Sequence, residues 1–360
     1  MQLVYFVLNF GMFILGLALL IYGSDVFVES ASKLALRLGV SELFIGLTIV
    51  AIGTSLPEIV SSITAVIAGK SQLAFTNITG STIVNLTLII GISAVVSPLA
   101  SNAIVLDRDA KVLLFILGML VVFILEPFSP GMIVFWEAVV LIVLFFAYLS
   151  FLFTRREECE SCYQFHVFVD YLIRFKFLTS LRGYISSSRR SVKEKELDVQ
   201  ETKKSSIEAL KSPFAVIVSA FSIVLGAQFV VNGSDFITQT WGIQEGVIGF
   251  VVIAIGTSLP ELTVSINSAK RGFGRLLIGN VIGSNIVNIT LGLGIISLFI
   301  PTQILLIVGN VVMLGFTLSI AIVFFYIIRR DWRVTRAEGL LLIVLFFIAQ
   351  IFTIYFEQFV

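Results

Sequence analysis

The chain has 360 residues, 58% of them hydrophobic and only 13% charged, with 33 Phe and a mean hydropathy of +1.04. A soluble domain of this size carries far more charge, so the composition excludes a water-soluble enzyme or nucleic-acid binder and indicates an all-α integral membrane protein. The formal net charge of +1 conceals an uneven distribution among the loops.

A bilayer core of about 30 Å needs about 20 apolar residues per crossing helix. Ten such stretches are expected, centred near Gly16, Val50, Leu88, Leu117, Val143, Val218, Val252, Ile289, Val312 and Leu345. The first follows Met1-Gln-Leu-Val-Tyr-Phe6, which has no basic segment, so it reads as a retained span and not as a cleaved signal. It ends in Tyr22-Gly-Ser-Asp25, matched in the sixth span by Asn232-Gly-Ser-Asp235 at an offset of 210. Asp25 and Asp235 are expected in the headgroup regions, with structural roles.

The second span contains Ile52-Gly-Thr-Ser-Leu-Pro-Glu58 and the third Gly80-Ser-Thr-Ile-Val-Asn85. Both recur 203 residues later, as Ile255-Gly-Thr-Ser-Leu-Pro-Glu261 and Gly283-Ser-Asn-Ile-Val-Asn288. One shared offset across two polar islands indicates a duplicated unit. The fourth and fifth spans carry no ionisable residue at their centres and read as packing helices. Residues 155–212 then change in composition: Tyr163 to Phe177 alternates aromatics with charges, as an amphipathic helix on the inner leaflet does, and Ser186 to Ser206 is a polar linker. Cys159 and Cys162 read as ordinary reduced loop cysteines, since with His166 they supply too few ligands for zinc.

The second half repeats the plan from residue 213. Each half holds an odd number of crossings, five, so the halves enter the membrane from opposite sides, an inverted repeat of the kind that builds secondary transporters. The expected boundaries are 1–154 for the first five-helix repeat, with its motif unit at about 41–97, and 213–360 for the second, with its unit at about 243–299. Of 24 Lys and Arg, 23 fall at the loops after odd-numbered spans and only Lys70 on the other side. The positive-inside rule therefore places the central loop in the cytoplasm and both termini outside.

Glutamates inside apolar spans are expensive unless they are used. Pro57 and Pro260 cannot donate to the carbonyls of Gly53 and Gly256, so each helix opens one turn before its glutamate and frees carbonyls that need another partner. Thr54, Ser55 and Glu58 share a helix face, as do Ser81 and Asn85, with Thr257, Ser258, Glu261, Ser284 and Asn288 repeating them. These are hard oxygen donors, suited to Ca²⁺, Na⁺ or Mg²⁺. Two carboxylates with no basic residue at that depth are neutralised by one Ca²⁺ or by two to three Na⁺.

These paired motifs resemble the repeats of the cation/Ca²⁺ exchanger superfamily, in particular prokaryotic Na⁺/Ca²⁺ exchangers, and the resemblance covers nearly all of the chain outside the linker. It implies Ca²⁺ ligation by the Glu58 and Glu261 carboxylates and the Thr54 and Thr257 carbonyls. It also implies flanking Na⁺ sites that add Ala51, Ser55 and Ser81 on one side and Ala254, Ser258 and Ser284 on the other, with Asn85 and Asn288 lining the centre. The implied activity is Na⁺-driven Ca²⁺ export across the cell membrane by alternating access, with three Na⁺ per Ca²⁺ and spans 1 and 6 sliding against the rest. The implied protein works as a monomer, uses no cofactor and is not an enzyme.

Two departures bear on this reading. Both central positions are asparagine where some prokaryotic members have one aspartate, which favours Na⁺ over H⁺ coupling and disfavours K⁺ co-transport. The first island reads Gly-Ser-Thr where Gly-Ser-Asn is commoner, with Thr82 in the variant position. H⁺/Ca²⁺ antiport is the alternative, and a cation channel or divalent-cation sensor the reading from a different class. No Gly-x-x-x-x-Gly-Lys-Ser/Thr phosphate loop is present.

Overall fold

The computed structural model describes residues 2–37, 51–101, 105–128, 130–154, 165–177, 206–243, 247–270, 272–299, 302–303 and 308–357. The protein is almost entirely helical, as a lipid-embedded backbone must be to satisfy its own N–H and C=O groups. Among the described residues seven helices are long and apolar enough to cross a membrane, and one bent pair raises the number to eight. Of the other two expected spans, the one centred at Val50 is described only from Ala51 onward, as two short helices. Leu117 sits in a helix of only 15 residues, about 22 Å by helical rise.

Helix α1 is Gln2–Arg37. Two short helices, α2 (Ala51–Thr54) and α3 (Leu56–Ile67), follow, then α4 (Ser71–Val84), which runs through a π turn at Asn85–Ile89 into α5 (Ile90–Val96). Strand β1 (Leu99–Ala100) and a π turn at Val105–Ala110 lead into α6 (Lys111–Leu125). Strand β2 (Met132–Ile133), α7 (Phe135–Thr154) and α8 (Phe165–Ile173) complete the first half.

The second half opens with α9 (Ser206–Trp241), followed by a π turn at Ile248–Ile253, α10 (Ala254–Thr257) and α11 (Leu259–Lys270). Helix α12 (Gly274–Val287) passes through a π turn at Asn288–Leu293 into α13 (Gly294–Phe299). Strand β3 (Thr302–Gln303), α14 (Val308–Asp331), β4 (Arg333–Val334) and α15 (Arg336–Glu357) follow.

Burial sorts the spans into a centre and a periphery. The span Ser71–Val96 is 83% buried and Leu277–Leu298 is 78% buried, against 28% for Val7–Phe27 and 33% for Phe214–Trp241. The island-bearing helices are thus the core, and α1 and α9 lie outside it, packed along each other. Their contact is close because glycines face each other: a Cβ on Gly16 would meet the Gly226 carbonyl oxygen at 2.8 Å, and one on Gly226 would meet that of Gly16 at 2.8 Å. Inside the core, a Cβ on Gly80 would stand 2.6 Å from the Phe250 ring, so glycine lets α4 lie against the bent segment of the other half.

The short strands tie the halves together reciprocally. β1 pairs antiparallel with β4, Leu99 opposite Val334, and β2 with β3, Met132 opposite Gln303. β1 and β3 correspond at the 203-residue offset, so each half lends one strand to the other.

Helix α8 falls within the stretch expected to be amphipathic. Phe168 and Tyr171 are buried against α7, with the Phe168 ring 5.5 Å from that of Phe151 and the Tyr171 hydroxyl 2.7 Å from Ser150 Oγ. The apolar face is therefore packed on protein. Cys159, Cys162 and the polar stretch 186–205 lie outside the described residues.

Candidate cation site

The two island motifs break their helices at serine. Ser55 (φ −83°, ψ −2°) separates α2 from α3, and Ser258 (φ −84°, ψ 8°) separates α10 from α11. Pro57 falls in the first turn of α3, where its missing N–H is not needed. Regular bonding resumes at once, with Ile59 N donating to Ser55 O and Leu262 N to Ser258 O, both at 3.1 Å. In the second half the axis bends by 45° between the two pieces.

One carbonyl freed by Pro57 has a protein partner that the sequence reading did not foresee. Gly53 O accepts the hydroxyl of Ser24 from α1. The Tyr22-Gly-Ser-Asp25 motif therefore sits beside the break, and α1 continues past Asp25 to Arg37. The apolar span itself is Val7–Phe27, so it ends about where the sequence places it while the helix carries on. Its counterpart Asp235 pairs with Lys70 at the turn between α3 and α4.

The breaks bring both glutamates into the interior. Glu58 and Glu261 are fully buried, close enough for their charges to interact. Ser258 Oγ donates to Glu58 Oε1 at 2.8 Å. Glu58 Oε2, both Glu261 carboxylate oxygens and Ser55 Oγ have no protein hydrogen-bond partner among the described residues. No ion pair joins either glutamate to a basic residue among them.

The second islands close around the same region from α4 and α12. Asn85 and Asn288 each begin a π turn, a local widening that recurs at functional sites. Asn85 Nδ2 donates to Asn285 Oδ1 at 2.9 Å and lies 3.4 Å from Ser284 Oγ, and Asn288 Nδ2 lies 3.4 Å from Ser81 Oγ. The halves are thus interleaved, each asparagine reaching the other half's serine. The Oδ1 atoms of Asn85 and Asn288 have no partner among the described residues.

Thr54, Thr257 and Ala254 are buried, and Thr257 Oγ1 bonds its own helix at Ile253 O, 3.0 Å. Ala51 starts α2, but its side chain lies outside the described residues. Asn77 was not expected at the site. Its Nδ2 lies 3.2 Å from Glu58 O, 3.0 Å from Ser61 Oγ and 2.9 Å from Ser62 Oγ, bracing the backbone under the glutamate. Its recurrence at offset 203, as Asn280, was the available signal.

Buried polar atoms without partners are costly. Here three carboxylate oxygens, two amide oxygens and one hydroxyl share that condition, and oxygen ligands of this number and hardness suit Ca²⁺ or Na⁺. Among the described residues no three His, Cys, Asp or Glu side chains gather.

Comparison with known proteins agrees with this chemistry. A profile of the family described as "Sodium/calcium exchanger protein" matches residues 8–154 and 211–355. The chain is 37% identical to the sodium/calcium exchanger MaX1 of Methanosarcina acetivorans, over 97% of this chain and 99% of that one. Over 34% of its length it is 32% identical to the sodium/potassium/calcium exchanger 1 of Rattus norvegicus, of which it covers 11%. Among solved structures it resembles the sodium-calcium exchanger NCX_Mj soaked with 10 mM Na⁺ and zero Ca²⁺, at a TM-score of 0.59 and 30% identity, over 96% of this chain and 98% of that one.

Proposed function

The chain belongs to the sodium/calcium exchanger protein family, and on that premise we propose that it exports Ca²⁺ in exchange for Na⁺ by alternating access. The observation that carries this is the pair of buried glutamates, Glu58 and Glu261, with Glu58 Oε1 bonded by Ser258 of the other half and the other three carboxylate oxygens without a protein partner among the described residues. Two carboxylates this close repel each other, so a site emptied of Ca²⁺ must take up other cations before it can reset. That requirement is what couples the two fluxes.

The Ca²⁺ ligands are the Glu58 and Glu261 carboxylates with the carbonyls of Thr54 and Thr257. Ala51, Ser55 and Ser81 serve Na⁺ on one flank and Ala254, Ser258 and Ser284 on the other, with Asn85 and Asn288 between them. Support comes from the burial of these groups and from the reciprocal bonds between Asn85 and Ser284 and between Asn288 and Ser81.

The chain is a multi-pass membrane protein. Ten helices in two inverted repeats, 1–154 and 213–360 with the connector 155–212, is the architecture we favour, supported by the reciprocal strand pairs. The β1–β4 pair joins loops that alternation puts inside, and the β2–β3 pair joins loops that it puts outside. The Lys and Arg distribution supports a cytoplasmic central loop and external termini. Helices α1 and α9, closely packed and mostly unburied, suit the role of a sliding pair. A site completed within one chain supports a functional monomer, and the mechanism needs no cofactor or covalent step.

The decisive experiment is ⁴⁵Ca²⁺ uptake into proteoliposomes loaded with Na⁺, compared with vesicles loaded with K⁺ or holding only a pH gradient. Uptake driven by the outward Na⁺ gradient and enhanced by an inside-positive potential is expected. Uptake that follows the pH gradient and ignores Na⁺ would establish H⁺/Ca²⁺ antiport instead, and flux without any counter-ion would establish a channel.

A further inference from the structure

The two halves of the site are not equivalent, and the difference lies in how each central asparagine is held. The amide of Asn85 spends its Nδ2 on two acceptors of the other half, Asn285 Oδ1 at 2.9 Å and Ser284 Oγ at 3.4 Å. An NH₂ group has two hydrogens, so both are engaged and Oδ1 is left bare. Asn288, its counterpart, has a single long contact, 3.4 Å to Ser81 Oγ.

The cause is one residue type. At the 203-residue offset Asn285 corresponds to Thr82, and the pair Asn85–Asn285 therefore corresponds to Asn288–Thr82. The Thr82 hydroxyl donates to its own helix at Ile78 O, 3.1 Å, and is too short to offer an amide oxygen across the interface. All four side chains are fully buried.

We infer that Asn285 is a positioning residue for cation binding, fixing the Asn85 amide with its oxygen toward the ion, and that Thr82 leaves Asn288 without that support. An amide presents an acceptor at one end and donors at the other. Turned by 180° it would aim hydrogens at a dehydrated cation and oppose binding. Pinning the donors on Asn285 prevents that turn in one half only, which makes the Asn85 side of the site the preorganised one. This rests on the cation-site reading above.

The test uses the full chain, purified and reconstituted, with Asn285→Leu, which keeps the branched shape and removes the acceptor, and Thr82→Asn, which supplies the missing one. Asn285→Leu is expected to raise KM for Ca²⁺ by roughly three- to tenfold with maximal flux retained, the change that loss of one buried hydrogen bond produces. Equilibrium ⁴⁵Ca²⁺ binding in detergent should weaken by the same factor. Thr82→Asn should lower KM, and because it is a gain it cannot arise from misfolding. Unchanged Ca²⁺ affinity in Asn285→Leu, or no gain in Thr82→Asn, overturns the assignment. Wild-type protein that binds ⁴⁵Ca²⁺ without exchanging it for Na⁺ would instead overturn the exchange reading, and the binding comparison would still decide the role of Asn285.

Discussion

Ser258 donates its hydroxyl to Glu58 Oε1 at 2.8 Å, although the two residues lie 200 positions apart. The counterpart serine, Ser55, has no partner for its hydroxyl among the described residues. A buried hydrogen bond to a carboxyl contributes about 1–2 kcal/mol, so the two serines should differ in an ion-free thermal melt. Ser258→Ala should destabilise the protein by about that amount and Ser55→Ala by much less. Equal losses would show that the two sites are equivalent in the ion-free protein.

Glu58→Gln and Glu261→Gln should each abolish Na⁺-driven Ca²⁺ uptake, since removing one charged ligand from a Ca²⁺ site weakens it by about a hundredfold or more. Glu137 supplies the control. It too is fully buried, and its Oε1 likewise has no partner among the described residues, but its Oε2 accepts from Val134 N at 2.9 Å and caps the start of α7. Glu137→Gln should cost about 1 kcal/mol or less of stability and leave exchange in place. Full exchange in both Glu58→Gln and Glu261→Gln would sink the site assignment.

The parts of the site that were legible in the sequence are those whose chemistry conflicts with lipid. Glu58 and Glu261 stand out because a carboxylate in an apolar run needs a use, and their shared offset with Asn85 and Asn288 ties four positions to one unit. What escaped were contacts between helices remote in sequence. Ser24 of α1 bonds the Gly53 carbonyl 29 positions away, and no pattern in either segment pairs the two. Asn77 braces Glu58 from the next helix, and its only mark in the sequence was its recurrence as Asn280 at the shared offset. Strands of two residues carry no pattern at all, so the reciprocal pairing of β1 with β4 and β2 with β3 had no signal. In α8 the amphipathic alternation was visible, but nothing in it identified Phe151 of α7 as the surface it covers.

Lys70, the one basic residue assigned to the outer face, pairs with Asp235 of α9. The pair links the outer, less buried helix to the α3–α4 turn of the core. Asp235 is 38% exposed, so solvent screens the pair and its contribution to stability is about 1 kcal/mol or less. Its effect should lie in transport. Lys70→Glu, which sets two carboxylates against each other, should slow Na⁺/Ca²⁺ exchange with little change in melting temperature. The double variant Lys70→Glu with Asp235→Lys should recover the rate. A double variant as slow as the single one would mean that the pair itself is not what matters.

Gly16 and Gly226 set how closely α1 and α9 approach, and the proposed sliding of the two helices as a pair depends on that closeness. A Cβ on Gly16 would lie 2.8 Å from the Gly226 carbonyl oxygen and 2.9 Å from Val230 N. Both are backbone atoms, which cannot swing aside, so an added methyl must push the helices apart. Gly226→Ala meets the same obstacle, 2.8 Å from Gly16 O and 2.9 Å from Leu20 N. Overpacking of this kind costs about 1–3 kcal/mol, and it should lower both the melting temperature and the initial rate of Na⁺-driven ⁴⁵Ca²⁺ uptake. Gly11 lies on the same helix with nothing within 4 Å of its added Cβ. Gly11→Ala should therefore be neutral, or stabilising by the greater helix propensity of alanine. If Gly11→Ala slowed transport as much as Gly226→Ala, the flexibility of glycine along α1 would be the governing property, and the close approach of the two backbones would not.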